Sequence, residues 1–305
     1  MISQPATAAK GYCNPSYARS LAEFGIPREL PCSGAWVLDR TIPGTIYRDA
    51  MGCYPLFCCR DWTVLESDLE SMSPLVSIAV VPDPFGNFDH SRLEGCFDRV
   101  IPFKDHHVVD FRKPLECSKH HRYYTRAALR HAKIDVYPRP EEFLETWLEL
   151  YGNLIRRHSL TGIKAFSAQT FKRQLAVPGL IVLTALSDGV VVGAHLWYVQ
   201  DDVAYSHLAA SSDVGYRMSV SYALYDGAIE YFRNKVRWLD FGAGAGVGKG
   251  RDGLAIFKAG WSNGVRPVYF CGRIFDHAAY DTLLAQKQIS PETAYFPAYR
   301  SGELT

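Results

Sequence analysis

The 305-residue chain has no CxxC pair, no long apolar run and no excess of charge of either sign. Each absence narrows what it does. The eight cysteines (Cys13, Cys32, Cys53, Cys58, Cys59, Cys96, Cys117, Cys271) include one tight group, Cys53, Cys58 and Cys59, in the apolar run PLFCC without a histidine at ligand spacing. Zinc thiolates come in short knuckles, so a metal site is not expected. Lys+Arg is 33 against Asp+Glu 32, so any nucleic-acid partner must be held by a local patch and not by a global basic field. The opening, MISQPATAAKGYCNPS, lacks the apolar core of a secretory signal. VSIAVV and LIVLTAL, the longest apolar stretches, have the length of strands and not of membrane spans. Free thiols without an export signal point to a cytoplasmic protein with no membrane span. A composition of 48% hydrophobic and 21% charged residues excludes a disordered tail, a collagen-like chain and a disulfide-stapled miniprotein. The length suits two domains.

Residues 1–30 are irregular apart from SYARSLAEFG, a short amphipathic stretch stopped by Gly25 and Pro27. AWVLDRTIPG, YPLFCC, LVSIAVVPDPFG and VIPFKDHHVVDF then read as strands and turns, and DWTVLESDLESM as a helix, which makes 30–112 a small mixed α/β unit. SKHHRYYTRAALRHAK (118–133) is a basic helix candidate, followed by a strand at IDVYPRP. In EEFLETWLELYGNLIRRHSL, Phe143, Trp147, Leu150 and Leu154 recur at spacings of 4, 3 and 4, an amphipathic helix. SAQTFKRQLA follows as another helix. Asp188-Gly189 and Asp201-Asp202 then divide three strand patterns, the first a strong hairpin signal. From residue 134 the order is β-α-α-β-β-β-α-β-α-β, an α+β arrangement with a mixed sheet and not a doubly wound one. No internal repeat, low-complexity tract or long linker is present.

Four features carry candidate chemistry. GAGAGVGKG (242–250) follows a strand, yet the phosphate-loop register puts Ala243 at the leading glycine and Gly250 after Lys249, and GxGxxG fails in every register. It reads as a mobile loop or as backbone that approaches a ligand closely. Lys119, Arg122, Arg126, Arg130 and Lys133 are spaced 3, 4, 4 and 3, one helical face that either lies along a phosphate backbone or pairs with acidic segments such as EEFLETWLE. His195 and His207 lie in adjacent strand patterns, as a base near neutral pH or as structural residues. Lys258 sits among Ile256, Phe257 and Trp261 in DGLAIFKAGW, where its cation either stabilises charge developing in acyl transfer or snorkels at a helix end. No GxSxG elbow is present, and no cysteine has a convincing basic neighbourhood, so covalent nucleophile catalysis is unsupported.

The run from Phe166 to Phe275, through VVGAHLWY, VAYSHLAASS, SVSYALYDGAIEYF, LDFGAGAG and above all DGLAIFKAGW, resembles the C-terminal domain of GNAT-fold acyltransferases of the FemAB-like branch, covering about a third of the chain. That branch includes the Fem-type aminoacyl-tRNA-dependent transferases. The β-rich first part, with VPDPFG, resembles the first of their two domains. The resemblance implies two GNAT-like α+β domains in tandem, each a mixed, mostly antiparallel sheet flanked by helices. Residues 1–133 would be the degenerate acceptor-side domain and 134–305 the catalytic, donor-side domain. It implies transfer of an acyl or aminoacyl group to an amine, with Lys258 after Phe257 stabilising the tetrahedral intermediate and Asp83 an acceptor-side carboxylate.

The acetyl-CoA turn of GNAT enzymes, Q/R-x-x-G-x-G/A, is degraded here to DVGYRMSVSYALY, with Gly215 and then Ser219 and Ser221. With the arginine stripe, this favours an aminoacyl-tRNA donor over acetyl-CoA, although the long coiled-coil arm of some relatives is missing. The expected site is therefore Lys258 as oxyanion partner, with Asp83, His207 or His195 handling the amine proton. Arg122, Arg126, Arg130, Ser219, Ser221, Tyr222 and Phe257 are expected on the donor. Trp36, Tyr47 and Arg48 are expected on an amine-bearing peptide or small-molecule acceptor. No prosthetic group and no DNA partner are expected. A non-catalytic RNA- or peptide-binding module is the third reading.

Overall fold

The computed structural model describes residues 9–160, 162, 165–245, 253–290 and 293–303. In chain order the elements are α1 (Pro15–Ser20), β1 (Ile26–Leu30), β2 (Ala35–Thr41), β3 (Arg48–Gly52), α2 (Leu65–Glu70), β4 (Ser77–Val80), α3 (His90–Cys96), β5 (Arg99–Asp110), α4 (Lys119–Ala128), β6 (Lys133–Val136) and α5 (Leu144–His158). They continue with α6 (Ala168–Gln174), β7 (Leu180–Ser187), β8 (Val190–Gln200), β9 (Val203–Ser211), α7 (Asp213–Arg217), α8 (Val220–Phe232), β10 (Trp238–Asp240), α9 (Gly253–Ala259), β11 (Gly264–Ile274) and α10 (His277–Gln286). Among the described residues no helix is long and apolar enough to cross a membrane.

The chain forms two compact units, and neither is continuous in sequence. One comprises residues 1–17, 105–160 and 167–266; the other comprises 18–104, 161–166 and 267–305. This division replaces the boundary expected at 133/134. The segment 105–133 belongs with the downstream residues because Val109 of β5 and Ala132 are buried in the same core as α8. Residues 267–305 join the upstream ones because β11 pairs with β4 (Cys271 opposite Val80) and α10 packs on Ile42 and Val76.

In the first unit the sheet runs β5-β10-β9-β8-β7-β6. It is antiparallel except for β9 and β10, which run parallel. The Asp188-Gly189 turn has φ of 50° and 78°, both in the left-handed region, as the tight hairpin between β7 and β8 requires. On one face α8 buries Val220, Leu224, Ala228, Ile229 and Phe232 against Trp197, Leu239 and Phe241. Three of the four stripe positions are buried, Phe143 just before α5 and Trp147 and Leu150 on it, while Leu154 is half-buried. The side-chain oxygens of Ser118, Ser167 and Ser212 cap α4, α6 and α7.

In the second unit β1-β2-β3-β4-β11 is antiparallel except for the β3–β4 pair. YPLFCC forms no strand beyond a single bridge, Phe57 to Pro82. Buried Asp49 accepts a two-pronged bond from Arg300 (Nε–Oδ2 2.5 Å, Nη2–Oδ1 2.8 Å). Tyr299 also donates to Asp49 (3.1 Å), and Arg300 reaches Thr41 O (3.0 Å).

Candidate active site

The site is built where the parallel pair in the first unit ends. Val203–Tyr205 of β9 face Trp238–Asp240 of β10 for three residues only. Beyond them β9 stays with β8, where the register slips between Leu196↔Leu208 and Trp197↔Ser206 and leaves His207 as the extra residue of a bulge. The chain leaves β10 through Phe241 and Gly242, which still bond to His107 of β5 (Phe241 N to His107 O 2.9 Å, His107 N to Gly242 O 3.1 Å).

Lys258 lies at this end. It is on α9, only 9% exposed, and its Nζ donates to the carbonyl of Ala243 at 2.6 Å. Gly242 has φ +74°, and a Cβ there would lie 3.4 Å from the Lys258 Nζ, so the loop carries its smallest residue where the ammonium approaches it. α9 is anchored by rings: Phe257 lies 4.8 Å from Tyr225 and 4.9 Å from Tyr222, and Trp261 is fully buried. His121 of α4 ties the two helices together, donating from Nε2 to Phe257 O (2.8 Å) and accepting at Nδ1 from Ser118 (2.6 Å). Burial holds its pKa below the ordinary value, in the neutral form these bonds require.

The two histidines named from the sequence are both enclosed. His207 accepts from Tyr12 at Nδ1 (3.1 Å) and donates from Nε2 to Gln174 (3.3 Å); burial pushes its pKa to about 3. His195 places Nε2 2.7 Å from Ser206 Oγ, and burial, then the Lys258 charge, push it to about 3. Neither accepts a proton near neutral pH. The sequence reasoning missed His106 and Asp240. His106 Nδ1 lies 3.0 and 2.8 Å from the two carboxylate oxygens of Asp240, which also accepts from Gly242 N (2.7 Å). The signal was present in the run KDHHVVD, but nothing local links it to an aspartate 134 residues away. His107, next along β5, has its pKa lowered by burial and then by Lys258.

Of the expected donor residues, Arg122 and Arg126 are exposed on α4 beside α9. Arg130 is not on the helix, which ends at Ala128, and Lys133 starts β6 and pairs with Asp135 (2.9 Å). The five-residue stripe therefore shortens to Lys119, Arg122 and Arg126, because Ala132 is drawn into the core and Lys133 into the ladder with β7. Tyr222 is half-buried on α8, stacked on Tyr124 with centroids 5.0 Å apart, and Thr125 of α4 bonds to its carbonyl. Ser219 adopts φ +57° as the residue before α8, and Ser221 lies in its first turn. Residues 246–252, the rest of the glycine-rich run, lie outside the described residues.

Asp83, Trp36, Tyr47 and Arg48 belong to the second unit. Asp83 organises the VPDPFG turn, accepting from Phe85 N (3.0 Å) and from the Cys58 thiol (3.7 Å). Trp36 and Arg48 point to opposite faces of their sheet, since Arg48 sits opposite Thr41 and pairs with Asp39 (2.9 Å), while Arg19 lies over the Trp36 ring. Tyr47 packs on the Ile42 cluster. The three do not form one site.

A mixed sheet whose two parallel strands part beside a buried lysine, with a helix packed across that end, is a GNAT-like fold. Residues 117–248 match the family described as an acetyltransferase (GNAT) domain. The fold is shared with FemX (TM-score 0.65, 13% identity, 88% of this chain and 93% of that one) and with L-PGS from Bacillus licheniformis (0.57, 13%, 91% and 98%). It is shared too with a C-terminal domain assigned to a lysylphosphatidylglycerol synthetase from Agrobacterium fabrum (0.58, 15%, 93% and 95%). No curated protein matches the chain. The FemAB-like resemblance of the sequence thus holds at the level of fold and enzyme class.

Proposed function

We propose that the protein moves an aminoacyl group from aminoacyl-tRNA to the amine of a peptide or small molecule. One observation carries the choice of donor. In the segment between β9 and α8, where acetyl-CoA-dependent members of the resembled family hold a pyrophosphate, four amides are engaged internally. Gly215 N donates to Ser212 Oγ, Tyr216 N to Ser212 O, Met218 N to Val214 O and Ser219 N to Tyr216 O. A pyrophosphate cradle needs such amides free. Gly215 is itself required for packing, since a Cβ there would lie 2.1 Å from Val192 O. Exposed Lys119, Arg122 and Arg126 on α4, stapled to the helix of Lys258, offer phosphates an alternative partner. The fold neighbours FemX and L-PGS support the same reading.

In the reaction the amine nitrogen attacks the ester carbonyl, and the carbonyl π pair moves onto oxygen. Lys258, held at Ala243 O, donates a hydrogen bond to that oxyanion. The C–O bond then breaks, the amide remains, and the ribose hydroxyl leaves with a proton.

The family match, described as an acetyltransferase domain, favours a second reading with acetyl-CoA as donor. Thermal shifts with acetyl-CoA, CoA and bulk deacylated tRNA separate the two. A response to tRNA that weakens steeply with salt supports the aminoacyl donor, and a CoA-dependent rise in Tm overturns it.

A further inference from the structure

We infer that His106, oriented by Asp240, is the general base that takes the proton from the attacking amine. The inference rests on acyl transfer to an amine, with either donor. Asp240 is 2% exposed and binds the imidazole through Nδ1 at 3.0 and 2.8 Å, so Nδ1 carries the hydrogen and Nε2 keeps its lone pair. The His106 side chain is 13% accessible, which opens that second nitrogen to a substrate. Among the described residues it is the one histidine held by a buried carboxylate. His195 and His207 are enclosed, and His121 has both nitrogens engaged.

The position is as telling as the bonding. Asp240 closes β10 opposite Tyr205, the last parallel pair before the strands part. Its carboxylate accepts from Gly242 N, and the next residue, Ala243, holds the Lys258 ammonium. The segment 240–243 therefore holds the carboxylate that orients the base at its start and the carbonyl that takes the oxyanion donor at its end. Amine addition needs both, because the nucleophile and the oxyanion share one carbon. Strand alternation puts His106, Val108 and Asp240 on one sheet face and His107, Val109 and Leu239 on the face covered by α8 and α9. The base and the lysine thus reach the loop from opposite sides. Asp240 is the ion-pair partner of the imidazole, and the charged groups that act on neighbouring His107 are Lys258, Asp105, His106 and Asp240.

As the C–N bond forms, the amine proton passes to Nε2 and the imidazolium is balanced by Asp240. The same proton then goes to the departing oxygen, or to sulfur with a thioester donor, as its bond to carbon breaks. Glycinamide serves as the amine probe, with bulk aminoacylated tRNA and acetyl-CoA each as donor, in single-turnover reactions from pH 5 to 9. His106→Gln is expected to lower the rate about 10²–10⁴-fold and to remove the rise in rate with increasing pH on the acidic limb that is expected of the wild type. A lower rate with an unchanged pH profile assigns a merely structural role and overturns the inference. Imidazole ¹⁵N spectra of the whole protein give a test independent of turnover. His106 is expected as the Nδ1–H tautomer, and Asp240→Asn is expected to weaken that preference. An Nε2–H tautomer, or a tautomer balance indifferent to Asp240→Asn, overturns the base assignment. If the wild type transfers from neither donor, the functional reading falls while the spectra still decide the dyad.

Discussion

Lys258 was legible because a cation in an apolar string asks for a partner, and the structure supplies Ala243 O. Replacing it with methionine keeps the stem and removes the donor. Lys258→Met is expected to reduce transfer about 10²–10³-fold with little change in donor affinity, checked by single-turnover rates against equilibrium binding. His195 and His207 were legible as neighbours on adjacent strands but not as enclosed groups, since burial belongs to the packed core and not to the strand pattern. Their enclosure makes a pH prediction with a definite sign. Both have folded pKa values of about 3, below the unfolded value of about 6.5. Between those values the unfolded chain binds protons that the folded one refuses, so stability is full above about pH 6.5 and falls as pH drops toward 3. The slope is at most about 1.4 kcal/mol per pH unit for each group. His207→Gln is therefore expected to flatten the decline of Tm between pH 6.5 and 4; a decline as steep as in the wild type would contradict the enclosure. The His106–Asp240 pair was not legible at all, because only the pairing of β5 with β10 brings the two together.

α4 shows how far a periodic pattern can be trusted. The spacing of basic residues continues through Arg130 and Lys133, yet the helix stops at Ala128, and Leu129–Ala132 turn into β6. Periodicity in sequence cannot see that Ala132 contributes more in the core than in another helical turn. The difference is measurable. Arg122→Ala and Arg126→Ala together are expected to lower the log–log salt slope of tRNA binding by about 1.5, at about 0.7–0.9 per phosphate contact. Lys133→Ala, whose charge is already met by Asp135, is expected to leave the slope unchanged. Fluorescence anisotropy over a salt series reads both. The hairpin of β7 and β8 was the most legible element, since Asp-Gly fixes a turn by backbone conformation alone. β1 and β3, short and without strong alternation, were not foreseen.

At the scale of the whole molecule the tandem α+β reading stands, and the domain boundary is where sequence reasoning failed. A cut at 133/134 looked natural because a helix pattern ended there, but each unit draws residues from distant stretches. A fragment starting at residue 134 lacks Val109 and α4 and is expected to be unfolded or aggregated, as circular dichroism and gel filtration report. Arg300→Ala removes the two-pronged partner of buried Asp49 and leaves it Arg40 Nε at 3.3 Å and the Tyr299 hydroxyl, so the cost is expected at the low end of the about 3–5 kcal/mol of a broken buried pair. Urea denaturation is expected to show a loss of that order.

That same Asp49–Arg300 clasp sets an order of events during synthesis. The two residues lie 251 positions apart. At about 5–20 residues per second, a ribosome needs roughly 12–50 s between them. For that interval the strands of the second unit already translated wait without β11, α10 and the arginine, while the lysine-bearing unit is completed on the ribosome. The lysine-bearing unit is thus finished first and the other closes last, and the intervening exposure of Ile42 and Val76 is the time at which a chaperone has most to hold.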